Sequence, residues 1–175
     1  QHHFMVADMT VKKLKEAIQE KKVDILFTSQ YSAEFMSMAW DHTFICTQEI
    51  CLVCSKRMDY SEKNLENYPF FTVPAGESND HAVIERARNT CKKMGFVPRN
   101  VYICDDLGSA YLNVITMNGL SFGTDNTALL PKSNFELKKT GVYSDYIMCS
   151  PHYTTNPAIK KFKDYVGESI KNIEH

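Results

Sequence analysis

Apolar and polar positions alternate along this chain with two periods, and the points where the period changes predict its architecture. The clearest stretch covers 70–123. Phe70-Phe71-Thr72-Val73 predicts a strand, and Ala75-Gly76-Glu77-Ser78-Asn79-Asp80 a polar turn. Ile84, Ala87, Cys91 and Met94 then recur at helical spacing, with Gly95 to stop the helix. The cycle repeats at once. Val101-Tyr102-Ile103-Cys104 predicts a strand, Asp105 and Asp106 supply a helix cap, and Leu107, Ala110, Val114 and Met117 form an inner face closed by Gly119. Leu120-Ser121-Phe122-Gly123 is the next strand. Strands alternating with capped helices form crossover units on a parallel sheet, and the ligand sites of such sheets lie in polar loops at the carboxyl ends of the strands.

The flanks extend this pattern. Residues 4–7 predict a strand, and Asp8 or Thr10 caps a helix that turns Val11, Leu14 and Ile18 inward. Lys21 and Lys22 suit the negative end of that helix dipole. Val23-Asp24-Ile25-Leu26-Phe27 predicts a buried strand running into Thr28-Ser29-Gln30. Residues 36–47 and 49–55 show no helical period and predict extended chain, with a short helix at 62–67. A turn at Gly141 precedes a strand at 144–150, and Asn156-Pro157 opens a last helix with Ile159, Phe162, Val166 and Ile170 as its apolar stripe. This order predicts two α/β lobes, 1–50 with 146–175 and 51–145, joined by two crossing strands. Two such lobes leave a cleft that closes around a small ligand.

Composition narrows the function classes. The chain has 175 residues, 43% hydrophobic and 23% charged, with a formal net charge of -1, as in an ordinary globular protein. Lys12, Lys13 and Lys15, like Lys160, Lys161 and Lys163, alternate with apolar helix positions and read as solvated faces, not as a nucleic-acid stripe. There is no apolar run of membrane-spanning length and no secretory signal, so the expectation is a cytoplasmic protein without membrane contact. Of the six cysteines, Cys51 and Cys54 have the spacing of a redox or zinc pair. They fall in a predicted strand, where residues three apart point to opposite faces, so no metal and no redox role is expected. The histidines have no neighbouring nucleophile motif, and no G-x-S-x-G or phosphate-loop sequence occurs, so no catalytic residue and no cofactor is assigned.

Taken in order, several segments resemble one family. Val23-Asp24-Ile25-Leu26 after an amphipathic helix, Glu49-Ile50-Cys51-Leu52-Val53-Cys54-Ser55, Leu65-Glu66-Asn67-Tyr68-Pro69-Phe70, Asp106-Leu107-Gly108-Ser109-Ala110, Gly119-Leu120-Ser121-Phe122-Gly123 with Leu129-Leu130-Pro131, and Asn156-Pro157-Ala158-Ile159-Lys160-Lys161-Phe162 are similar to the successive landmarks of the effector-binding domain of LysR-type transcriptional regulators. The likeness covers nearly the whole chain, and its specificity lies in the ordered set. Gln30-Tyr31 departs from it where glycine and proline are usual, and Met58-Asp59 where His-Pro is usual.

The resemblance implies an α/β, two-lobed type 2 periplasmic-binding-protein-like fold with two crossing hinge strands. The family domain begins with a strand and helix ahead of Phe4, so the resemblance also implies an incomplete first lobe. It further implies a small-molecule effector, a homodimer or tetramer, and DNA contact only through an N-terminal winged helix-turn-helix that this sequence does not contain. Family contacts would fall on Thr28, Ser29 and Gln30 after the first strand, on Gly76 and Ser78 at a helix start, on Asp105 and Asp106, and on Thr124. Each has a plainer role beside the functional one. Thr28 to Gln30 can form a capped turn, Ser78 can cap its own helix, and the aspartates are ordinary capping residues. Two other readings remain open: a solute receptor of a transport system, and an enzyme on the same scaffold using Asp105, Asp106 and Glu77.

Overall fold

A computed structural model describes residues 5–7, 9–34, 40–57, 62–124, 134–152 and 155–173. Its elements are α1 (Val11–Gln19), β1 (Leu26–Ser29), α2 (Gln30–Glu34), β2 (Trp40–Ser55), a 3-10 segment (Glu62–Asn67), β3 (Phe70–Thr72), α3 (Asp80–Lys93), β4 (Val101–Ile103), α4 (Leu107–Met117), β5 (Leu120–Thr124), β6 (Phe135–Pro151) and α5 (Pro157–Ile173). Among the described residues the strands pair in the order β1-β6-β2-β5-β3-β4. The chain divides into two compact units, Gln48–Ser144 and Gln1–Thr47 with Asp145–His175.

The unit Gln48–Ser144 is the doubled crossover that the hydrophobic pattern predicts. β3 pairs in parallel with β4 on one side and with β5 on the other, and β5 pairs antiparallel with β2. Adjacent side chains of a strand point to opposite faces, so Phe70 and Phe71 feed two different cores. Phe70 joins Leu52, Cys54, Ala87, Cys91, Phe96 and Leu120 under α3. Phe71 joins Val53, Cys104, Ala110, Tyr111, Val114 and Phe135 under α4. The helices therefore cover opposite faces, as right-handed crossovers running in opposite directions require. Gly119 follows the left-handed Asn118 that ends α4, and it lies against β3: a Cβ there would overlap the Phe71 ring and reach 2.7 Å from the Pro69 carbonyl oxygen.

Two details of this unit differ from expectation. The inner face of α4 includes Tyr111, whose hydroxyl donates to the Phe122 carbonyl at 3.1 Å, whereas Leu107 and Met117 at its two ends are exposed. β6 also begins at Phe135, well before the expected strand at 144–150. Gly141 stands within it at φ +70°, and the N–H groups of Thr140 and Gly141 both donate to the Glu49 carboxylate of β2, at 3.0 and 2.8 Å. Gly141 is thus a local irregularity inside a strand and not a turn ahead of one, at a place where positive φ favours glycine.

In the other unit β1 pairs antiparallel with the end of β6, from Leu26 opposite Cys149 to Ser29 opposite Tyr146. Leu26, Ala33, Ile147 and Cys149 form its core, with Leu14, Ile18, Val23 and Trp40 packed against them. Thr10 caps α1 by accepting from the Lys13 N–H at 3.4 Å, and the Asn156 side chain accepts from Ala158 N–H at 3.0 Å at the start of α5. Residues 5–7 form no strand, and Met5 and Val6 are exposed. β1 is shorter than the expected strand and is buried only at alternate positions, with Phe27 turned outward against Phe162 of α5. Among the described residues β1 lies at the edge of the sheet, and the alternation follows from a Leu26–Thr28 face covered more deeply than the Phe27 face. Phe4, Asp8, Met58-Asp59, Asp125-Asn126 and Leu129-Leu130-Pro131 lie outside the described residues.

Candidate functional site

Because β5, β3 and β4 are parallel and in register, their carboxyl ends form one edge of the sheet. The chain leaves β3 for β4 in one direction and returns from β4 past β3 to β5. The connections therefore reverse between β3 and β5, the place where open α/β sheets bind ligands. Gly76 and Ser78 in the loop after β3, Asp105 and Asp106 after β4, and Thr124 at the end of β5 all lie on that edge.

Their individual settings differ. Gly76 is buried at φ +121°, a conformation that favours glycine. Ser78 is exposed and is not the cap of α3. That role belongs to Asn79, whose side chain accepts from the Ala82 N–H at 3.0 Å while its amide donates to Ser78 Oγ at 3.2 Å. Asp106 caps α4, accepting from the Ser109 N–H at 2.8 Å and its hydroxyl at 3.3 Å. Asp105 beside it is exposed, and among the described residues it forms no ion pair.

The loop after β3 is held by a group the periodicity does not reveal. The Glu77 side chain is only 1% exposed and pairs with the Arg86 guanidinium of α3, itself 16% exposed. The second oxygen of Glu77 accepts from the Ala75 N–H at 2.6 Å, and Arg86 donates to the Val73 carbonyl at 2.6 Å and to Thr72 Oγ1 at 3.3 Å. Burial alone would push the Glu77 carboxyl up. The hydrogen bond and charge of Arg86, with the backbone donors, outweigh that and hold it below the ordinary carboxylate value. Arg86 thus fastens the end of β3 and the following loop to α3. Glu77 is engaged in this bond and is not an exposed acid–base group.

Thr28, Ser29 and Gln30 belong to the other unit. Thr28 is buried, Ser29 ends β1 and accepts the Ser32 N–H at 3.2 Å, and Gln30 is the exposed first residue of α2. This is a capped turn, with the Ser29 hydroxyl also donating to Ser32 Oγ at 3.1 Å.

The paired cysteines of β2 answer to the strand geometry. Cys54 lies in the core under α3, whereas Val53, which shares a face with Cys51, lies in the core under α4. The two thiols therefore face opposite sides, and burial pushes the Cys54 thiol up to about 11. Among the described residues no three His, Cys, Asp or Glu side chains are grouped to hold a metal, and no helix is long and apolar enough to cross a membrane.

No protein-family model matches the chain, and no curated relative does. Solved structures do. CbnR, a LysR family transcriptional regulator, matches with a TM-score of 0.68 at 13% identity, over 93% of this chain and 57% of its own. It is also solved in complex with its target DNA. The regulatory domain of OxyR2 from Vibrio vulnificus matches with a TM-score of 0.64 at 14% identity, over 94% of this chain and 78% of its own. The effector binding domain of a BenM variant matches with a TM-score of 0.59 at 14% identity, over 91% of this chain and 80% of its own. The fold is therefore the two-lobed, periplasmic-binding-protein-like fold of LysR-family effector-binding domains. The chain spans little more than half the length of CbnR.

Proposed function

We propose that this chain is the effector-sensing part of a LysR-type transcriptional regulator. A small molecule held by the strand-end loops would shift a dimeric, cytoplasmic regulator between conformations, to the extent that it binds one state better than the other. DNA would be read by a winged helix-turn-helix segment outside these residues, and the domain itself would turn over no substrate. The observation that carries this reading is the match over 93% of the chain to a regulator of that family. The reversal point of the sheet supports it, because five of the eight candidate contacts, Gly76, Ser78, Asp105, Asp106 and Thr124, share that edge. Asp105 would favour an effector with a hydroxyl or ammonium group there and disfavour a second carboxylate.

A thermal-shift screen against amino acids, aromatic and dicarboxylic acids and sugar phosphates tests the proposal. A ligand that raises the melting temperature without being consumed is the expected result. With that ligand, Asp105→Ala should weaken binding while the unliganded melting temperature stays put; Thr28→Ala with Ser29→Ala should also weaken it, on a domain whose unliganded melting temperature is lowered by loss of the Ser29 cap. An unchanged dissociation constant removes the altered loop from the site. Turnover of the hit would make the domain an enzyme.

A further inference from the structure

A second polar site lies at the opposite edge of the same sheet. β2 runs antiparallel to β5, with Cys54 opposite Leu120, so the end of β2 reaches the amino-terminal side of the parallel strands. A cavity of about 70 Å³ opens there, lined by Ser55, Lys56, Arg57, Ile115 and Asn134. We propose that it binds one tetrahedral oxyanion, either inorganic phosphate or the terminal phosphoryl group of a small metabolite.

Charge is the first argument. Lys56 and Arg57 are adjacent cations, and among the described residues the lining contains no carboxylate and neither cation forms an ion pair. Both cations are exposed, and two positive charges carried by adjacent residues at the rim of one cavity favour an anion there. Geometry is the second. Ser55 is 2% exposed, and its hydroxyl oxygen accepts the Arg57 N–H at 3.3 Å, which leaves its own proton to donate. The Lys56 N–H donates to the Asn134 carbonyl at 3.0 Å, which fixes the two sides of the cavity to each other. An arginine fork, an ammonium, a hydroxyl and a side-chain amide are the donor set that phosphoryl oxygens take. Size is the third, since the space suits one such group and not a larger metabolite. Ile115 contributes an apolar wall, which strengthens each polar contact inside.

The site shares no residue with the effector loops, so it stands or falls apart from the proposed function. The test is calorimetric titration of the chain with inorganic phosphate and with glycerol 3-phosphate, at constant ionic strength set by chloride. Saturable binding of at least one probe is expected, weakened tenfold or more in Lys56→Gln with Arg57→Gln. Arg57→Lys, which keeps the charge and loses the fork, should fall between. The tighter probe identifies the source as the free ion or the ester. Asp105→Ala should leave phosphate binding unchanged. Because both cations are exposed, the double variant should melt with the wild type. No saturable binding of either probe, or equal binding by the double variant, overturns the proposal.

Discussion

Each unit contains a carboxylate bonded to more than one partner, and the two differ almost only in their exposure. In one, Glu77 is sealed against Arg86 beneath the loop after β3, with side chains 1% and 16% exposed. In the other, Asp41 of β2 pairs with His152 Nδ1 at 2.5 Å and with Lys163 Nζ of α5 at 3.0 Å, but the three side chains are 36%, 54% and 25% exposed. Distance alone would rank the pairs as equals. Water decides otherwise. An exposed pair is screened and gains little beyond its hydration. A buried pair has surrendered its hydration, so each partner depends on the other. The buried bond therefore holds the candidate ligand loop in place, and the surface cluster adds little to the fold.

The sharpest way to break this comparison is to remove one buried partner. Arg86→Ala leaves the Glu77 carboxylate buried without its counter-ion and should cost about 3–5 kcal/mol, read by urea denaturation. Glu77→Gln, which leaves an amide oxygen to accept from the less buried Arg86, should cost less and should change the acid limb of stability. A carboxyl held below its unfolded value stabilises the fold above that value, near 4.5, and loses the contribution as pH falls through its lowered native value. The wild type should therefore lose stability on that acid limb more steeply than Glu77→Gln. Parallel curves for the two proteins would show that the pair is not coupled to folding. A loss in Arg86→Ala no larger than that of a surface variant would show the same.

Next in size is Gly119→Ala. The added Cβ would overlap the Phe71 ring and the Pro69 carbonyl oxygen where α4 hands the chain to β5. Overpacking of this kind costs about 1–3 kcal/mol, and because backbone yields less than a side chain, the upper part of that range is expected from the denaturation midpoint. A neutral result would mean that the start of β3 can move aside for the methyl group, and close packing would then not be what holds this end of the strand.

The sequence makes some of these features visible and hides others for physical reasons. The doubled crossover, the caps Thr10 and Asp106, the Pro157 start of α5 and the opposed thiols of β2 follow from spacing along one element, which periodicity reports directly. The Glu77–Arg86 bond joins residues nine apart across a loop and a helix, so no periodic signal carries it. Ser78 and Asn79 are both good capping residues, and only backbone placement selects Asn79. The early part of β6 reads as a turn because Lys138, Lys139 and Gly141 are polar or flexible, yet its partner is the neighbouring β2, whose Glu49 takes the two irregular N–H groups. On the candidate edge, spacing puts these loops at strand ends, whereas which side chains are already engaged is legible only in three dimensions.

The smallest expected effect tests the other half of the comparison. The hydrogen bond from His152, then that from Lys163, holds the Asp41 carboxyl below its ordinary value. By the same sign argument, any stabilisation from it is present above that value and fades as pH falls through the lowered native one. Exposure predicts that this contribution is nearly flat. Asp41→Asn should therefore denature with the wild type at neutral pH, and added salt should leave the difference between them unchanged, because there is little Coulomb energy to screen. A deficit approaching that of Arg86→Ala would mean that the three-residue cluster acts as a network whose members order one another. Bonding geometry, and not burial, would then be the quantity that separates a structural ion pair from a decorative one in this protein.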